Sequence, residues 1–219
     1  MNVRRFELLV FDWDGTLMDS TALIAACIQA AARDLGLPVP DHATASHVIG
    51  LGLKDALSYA VPQLAEADYA RMSERYGHHF RASDTAVPLF DGTNEMLSDL
   101  SDRGHLLGVA TGKSTKGLER AMAATGIARH FAAVRCADRC TPKPAPDMLH
   151  ELMDEFAVRP ESTLMIGDTT HDLEMAANAG VAAVAVSYGA HPRNSLLKLN
   201  PLACVASTAE LAAWLKQNA

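Results

Sequence analysis

The sequence predicts an α/β fold: a doubly wound parallel sheet interrupted, after its first strand, by a helical insertion. Three observations predict it. Short, almost wholly apolar runs recur along the chain: FELLVFD, HLLGVAT, FAAVRC, TLMIGD and VAAVAVS. Strands that lack polar alternation belong to sheets covered on both faces. Amphipathic stretches of helical length separate the later runs, which is the alternation that gives parallel strands with right-handed crossovers. Between the first two runs, from about residue 20 to residue 85, the pattern is helical throughout, far longer than a parallel crossover needs.

Taken in order, FELLVFD is the first strand and ends in acidic residues. The insertion follows as three helical patterns: TALIAACIQAAARDLGL, HVIGLGLKDALSYAV and LAEADYARMSERYGHHFRAS. HLLGVAT is the second strand, followed by the helix TKGLERAMAATG. FAAVRC is the third, followed by the helix APDMLHELMDEFA; TLMIGD and VAAVAVS close the series. The chain thus divides into a Rossmann-like α/β core, residues 1–18 and 86–219, and a helical cap, residues 19–85.

Composition narrows the function. The chain has 219 residues, 49% of them hydrophobic, and a net charge of −7. No basic patch offers a footprint for nucleic acid. The N-terminal MNVRRFELLVFDWD is too short and too acidic to read as a signal peptide or membrane span. The four cysteines, Cys27, Cys136, Cys140 and Cys204, are scattered. Only Cys136 and Cys140 are close, with no second pair to complete a zinc site, so the thiols are expected to be reduced in a cytoplasmic protein.

The polar residues that follow the strands carry the chemistry, because ligands of doubly wound sheets bind beyond the carboxyl ends of the strands. Asp12, Asp14, Gly15 and Thr16 follow the first strand, and Thr111, Gly112 and Lys113 the second. Lys143 follows the third, and Asp168 and Asp172, in GDTTHD, the fourth. Asp12 and Asp14 are two positions apart, on the same side of an extended chain. With Asp168 in the same cleft, they cannot all stay ionised without a cation. Hard oxygen ligands without an imidazole or thiolate set suit Mg²⁺. Thr111, Gly112 and Lys143 are suited to hold phosphate oxygens, and the whole set provides what stabilises a phosphoryl group in transfer.

These four groups, in this order, resemble the motifs of the haloacid dehalogenase superfamily, in particular its capped Mg²⁺-dependent phosphatases similar to phosphoglycolate phosphatase. The resemblance spans essentially the whole chain. It implies that Asp12 is the nucleophile that forms an aspartyl-phosphate, and that Asp14 is the general acid and then the base. It implies that Asp12, Asp168 and the main-chain carbonyl of Asp14 hold Mg²⁺, with Thr16 and Asp172 in support. The dehalogenases and ion-pumping ATPases that share the superfamily lack the second carboxylate, so Asp14 argues for hydrolysis of a phosphate ester. A small phosphorylated metabolite is the implied partner.

Other readings fit less well. A calcium loop starting at Asp12 requires Gly and Glu where Leu17 and Leu23 stand. A phosphate-binding nucleotide loop ending in GKST requires Gly where Leu107 stands. A sugar phosphomutase resembling β-phosphoglucomutase, a pyrophosphatase and a non-catalytic binding protein remain as alternatives. In the cap, Lys54 is a candidate substrate contact, and Arg71, Arg75, His78, His79 and Arg81 are further cations, most of them expected on solvated faces. Gly50-Leu51-Gly52 resembles the specificity loop of phosphoglycolate phosphatases. His171 is expected to be an exposed helix residue.

Overall fold

The computed structural model describes residues 5–83 and 87–219. The expected boundary between residues 85 and 86 lies outside the described residues, as do residues 1–4 of the N-terminal segment. Six parallel strands form one sheet in the order β3-β2-β1-β4-β5-β6. They are β1 (Leu8–Phe11), β2 (Leu106–Thr111), β3 (Ala133–Cys136), β4 (Thr163–Gly167), β5 (Ala182–Val186) and β6 (Ala203–Val205). The five runs read from the sequence are the first five strands. The sixth is an edge strand of 3 residues, too short to give a periodic signal.

The apolar runs bury both faces of the sheet. Leu9 and Phe11 face one core with Val109, Ile166 and Val184. This face is covered by helices α5 (Thr93–Asp102), α6 (Thr115–Thr125) and α10 (Thr208–Asn218). Leu8 and Val10 point the other way, with Ala110 and Met165, onto α7 (Asp147–Phe156) and α8 (Thr170–Asn178). Each strand therefore alternates between two hydrophobic interiors, so it lacks the polar face of a half-exposed strand. The short α9 (Arg193–Leu197) packs Leu196 against Leu173 and Ala185.

Four helices follow β1: α1 (Thr21–Asp34), α2 (His42–His47), α3 (Leu53–Ala60) and α4 (Tyr69–Ser83). They share a separate cluster of Ile24, Ile28, Ala31, Leu57, Val61 and Met72. HVIGLGLKDALSYAV, read as one helical pattern, is broken in the structure. Gly50 takes a positive φ of 92° and Gly52 stands at the N-cap of α3, so residues 48–52 form a loop between α2 and α3. The chain leaves and returns to the sheet side by side: Asp19 N donates to the Pro88 carbonyl and the Phe90 N–H to the Leu17 carbonyl, both at 3.0 Å. Among the described residues, no helix is long and apolar enough to cross a membrane.

Strand β1 lies between β2 and β4, so connections depart from it in both directions. At such a switch point the loops beyond the strand ends separate and leave a crevice.

Candidate active site

The carboxyl ends of β1, β2 and β4 bring the acidic residues together. Asp12 follows β1 directly and is buried, as are Asp14, Thr16, Thr111, Lys143, Asp168 and Asp172. Carboxylate oxygens of Asp12, Asp168 and Asp172 lie within 4.8 Å of one another. Lys143 is 0% exposed at its side chain, with Nζ 2.8 Å from Asp12 Oδ1 and 2.6 Å from Asp172 Oδ1. A lysine buried so completely is held there by these two charges, since unpaired it would shed its proton.

The three carboxylates differ in how far they are satisfied. Asp172 is fully committed: Oδ1 accepts from Lys143, and Oδ2 accepts from the N–H and hydroxyl of Thr169 at 3.0 and 2.7 Å. The pair forms the capping box that starts α8. Asp168 accepts from the Thr16 hydroxyl at 2.9 Å and from the Ala190 N–H at 2.7 Å. Gly15 and Gly189 press against the same carboxylate, where a Cβ on either would overlap Asp168 Oδ2. Asp12 has only the contact of Oδ1 with Lys143, and its other buried oxygen, Oδ2, has no hydrogen-bond donor.

Burial pushes the Asp12 carboxyl up to about 7, against the pull of Lys143 and with the repulsion of Asp172 and Asp14. Asp168 is raised well above the ordinary carboxylate range, by burial first and then by Asp12 and Asp172. A buried carboxylate oxygen without a donor, beside two more carboxylates, fits a small hard cation. The donor set is all oxygen, which suits Mg²⁺ better than a soft metal.

Asp14 is arranged differently. Its Oδ1 accepts from Ser20 Oγ at 2.5 Å and is 2.8 Å from Lys113 Nζ. Its carboxylate is therefore turned to the Lys113 side, outside the acidic cluster, and any contribution to a metal would come from its main chain. Both carboxylates of the Asp12–Asp14 pair thus have a lysine partner supplied from elsewhere in the chain. Lys113 had no role in the sequence reading beyond its place in the TGK run after β2.

A cavity of about 250 Å³ opens over Asp12 and Asp14, between the core and helices α1, α3 and α4. Thr111, Gly112 and Lys113 line it from the core, and Gly50 and Leu51 from the loop between α2 and α3. That loop lies tight on the sheet edge: a Cβ on Gly112 would overlap the carbonyls of Gly50 and Leu51. Thr111 is buried, and its hydroxyl accepts from the Lys113 N–H at 3.2 Å. Lys54 is exposed and does not border this cavity.

His171 is buried, contrary to the exposed position expected of it. It joins His47, at the end of α2, and His191, with ring nitrogens within 4.8 Å of one another. His171 Nε2 and His191 Nε2 both reach the His47 carbonyl at 2.9 Å. His191 Nδ1 accepts the Thr170 N–H at 3.0 Å, which assigns its proton to Nε2. With both nitrogens engaged, His191 has no lone pair for a metal. The trio ties α2 to the core, and sequence missed it because its members are far apart in the chain.

Residues 9–186 match the family model described as haloacid dehalogenase-like hydrolase. A protein of Dickeya dadantii described as a probable phosphatase, IndB, is 34% identical over 93% of this chain and 91% of its own length. A 5'-nucleotidase of Pseudomonas aeruginosa is 33% identical over 94% of each chain. The crystal structure of a protein of Haemophilus somnus, titled a predicted phosphoglycolate phosphatase, superposes with a TM-score of 0.85. The two are 27% identical, over 97% of this chain and 99% of that one. The chain belongs to the haloacid dehalogenase-like hydrolase family, and within it stands among phosphatases.

Proposed function

We propose that this hydrolase is a Mg²⁺-dependent phosphatase that cleaves a small phosphomonoester through an aspartyl-phosphate on Asp12, in the manner of phosphoglycolate phosphatase. The observation that carries the reading is the buried Asp12 carboxylate, one oxygen paired with Lys143 and the other without a donor, set beside Asp168 and bordering the cavity. Relatives named as phosphatases of several different substrates support the reaction class.

Asp12, Asp168 and the main-chain carbonyl of Asp14 would hold the ion. When bound, Mg²⁺ supplies positive charge that keeps Asp12 ionised and offsets the charge of the phosphoryl oxygens. An Asp12 oxygen attacks phosphorus while the ester oxygen leaves with a proton from Asp14. Asp14 then takes a proton from the water that attacks the aspartyl-phosphate, and phosphate departs with Asp12 regenerated. Thr111, Gly112 and Lys143 hold the phosphoryl oxygens. Thr16 fixes the Asp168 carboxylate, and Asp172 fixes Lys143 against Asp12. The helices 21–83 act as a cap that excludes bulk water from the transfer.

The test is phosphate release across a panel of metabolite esters, with Mg²⁺ and with chelator. Wild-type protein releases phosphate from at least one ester only with Mg²⁺ present. Asp12→Asn loses roughly 10⁴-fold or more of that rate, as removal of a nucleophile does elsewhere. Full Mg²⁺-dependent release by Asp12→Asn would refute the covalent route.

A further inference from the structure

Helices α1 to α4 rest on the core through few bonds. At the hinge, residues 17–20 run beside residues 88–90, joined by the main-chain bonds of Asp19 and Phe90. Away from the hinge, two hydrogen bonds join these helices to the core among the described residues, and both end on one atom. His171 Nε2 and His191 Nε2 each donate to the His47 carbonyl at 2.9 Å. No ion pair crosses this seam among the described residues; those of Arg71, Arg75 and His79 stay within the helices themselves. Lys113 of the core lies 4.9 Å from the centre of the Phe80 ring of α4. The apolar cluster of Ile24, Ile28, Leu57 and Met72 takes in a single described residue of the core, Ala190.

The His47 carbonyl is available because of where it stands. His47 is the last residue of α2, and the last carbonyls of a helix have no partner within it. A carbonyl oxygen has two lone pairs, so it accepts from both imidazoles. The Thr170 N–H fixes the His191 ring through Nδ1, and that ring stacks on the His47 ring at 4.9 Å and 13°. The His171 ring meets the His47 ring edge-on, at 5.4 Å. His47 also stands between two spaces. Its own side chain lines a cleft of about 520 Å³ between α2, α3 and residues 190–195. The next four residues, 48–51, line the cavity over Asp12 and Asp14. The seam between them is narrow, and its glycines bring the backbones close. A Cβ on Gly50 would lie 3.1 Å from Thr169 Oγ1, and one on Gly52 3.0 Å from the Pro142 ring.

We propose that His171 and His191 form a latch: by donating to the His47 carbonyl they hold the loop 48–52 down over the cavity, and breaking these two bonds admits and releases ligand. When the helices lift, each bond is exchanged for one to water. Each therefore changes the ratio of open to closed molecules by only about 2- to 12-fold. That modest size suits a gate. With little else across the seam, two such bonds favour the closed arrangement and still let it open in the microseconds to milliseconds typical of lids. The two histidines touch no substrate and act through the loop, so they are positioning residues. The inference rests on the phosphatase reading only for the ligand that passes the gate.

The experiment is amide relaxation dispersion on the full chain, which reports exchange between closed and open molecules in the microsecond-to-millisecond range. The amides of residues 48–52 and 111–113, which meet across the seam, are the probes, and those of β4 are the reference. His171→Phe keeps a ring without a donor, His171→Ala removes both, and His171→Gln restores a donor at similar reach. The first two variants raise the open population about 2- to 12-fold over wild type, and the third returns it to within about twofold of wild type. Inorganic phosphate with Mg²⁺, followed by its phosphorus line shape, is the passing ligand. In the first two variants it enters and leaves faster by one common factor, with Kd within about twofold of wild type, because a gate scales both rates alike. An open population unchanged by the first two variants, or raised as much by the third, overturns the inference. So does a change in Kd carried by dissociation alone, which would make His171 part of the binding site. If wild type takes up no phosphate, that counts against the phosphatase reading, and the dispersion at residues 48–52 still decides the latch.

Discussion

Asp12, Asp168 and Asp172 bring carboxylate oxygens within 4.8 Å of one another, and His47, His171 and His191 do the same with ring nitrogens. The two clusters are neighbours in the fold. The Asp168 carbonyl accepts the His191 N–H at 3.3 Å, and residues 168–172 contribute to both. They differ in how much binding capacity remains. Among the imidazoles, two N–H groups converge on one carbonyl, and the other nitrogen of His191 is taken by Thr170. Among the carboxylates, Asp172 is saturated and Asp12 is left with one buried oxygen that has no hydrogen-bond donor. Proximity of ligand-type residues is common to both clusters. Of the two clusters, the buried atom left without a donor belongs to the acidic one, and it is the feature that separates a site from a clasp.

The largest effect that would break this comparison comes from Lys143. Lys143→Met leaves Asp12 and Asp172 buried without their counter-charge, and breaking a buried pair from one side costs about 3–5 kcal/mol. Denaturant unfolding of the cation-free protein at pH 8 should show a loss of that size. The loss should shrink as the pH falls toward 5, because the raised carboxyls then bind protons and the missing lysine matters less. A variant as stable as wild type at pH 8 would mean that the acidic cluster is not charged in the way described.

That sensitivity also explains what was legible in the sequence. Asp12, Thr111 and Asp168 stand at or just beyond the ends of apolar strands, and parallel strands bring such positions to one edge; Lys143 lies farther on, in the loop after β3, which carries it back to Asp12. Asp172 was legible through local chemistry, since GDTTHD is a helix start and the capping box fixes its carboxylate. Helices α1 to α4 gave no equivalent signal. Their cations repeat at helical spacing whether they face water, Asp34 or the cavity, so the spacing could not correct the preference for Lys54 over Arg81. The structure leaves Lys54 exposed and sets Arg81 on the cavity. His171 was misread because α8 presents one face to α2, a contact made by residues more than a hundred positions apart. Sequence spacing on a single helix holds no trace of it.

Magnesium should separate the clusters by their dependence on pH. The Asp12 carboxyl, ordinarily near 3.8, stands at about 7 in the cation-free protein. The folded state therefore holds a proton that the unfolded chain has lost between these values. This contribution to stability is full below about 3.8 and is lost as the pH rises through 7. A cation must displace that proton, so Mg²⁺ affinity should fall by up to about tenfold per unit as the pH drops below about 7. Calorimetric titration at pH 8, 7 and 6 measures it. An affinity unchanged across that range would remove Asp12 from the ion's ligands.

The imidazole cluster should respond with the opposite sign and a smaller size. Burial lowers His191 from 6.5 to about 4, so the unfolded chain binds a proton there that the folded state refuses. Its contribution is present above about 6.5 and lost as the pH falls toward 4. With Mg²⁺ saturating at pH 7, His191→Ala removes two buried hydrogen bonds, each worth about 0.5–1.5 kcal/mol net. The expected loss is therefore about 1–3 kcal/mol, with Mg²⁺ affinity within about twofold of wild type. The variant should also lose less stability than wild type between pH 6.5 and pH 5, because the titrating ring is gone. Since the Thr170 N–H bonded by His191 is adjacent to Thr169 and two residues from Asp172, a change in Mg²⁺ affinity much beyond twofold would show that the clasp also positions the carboxylates, and the two clusters would have to be treated as one.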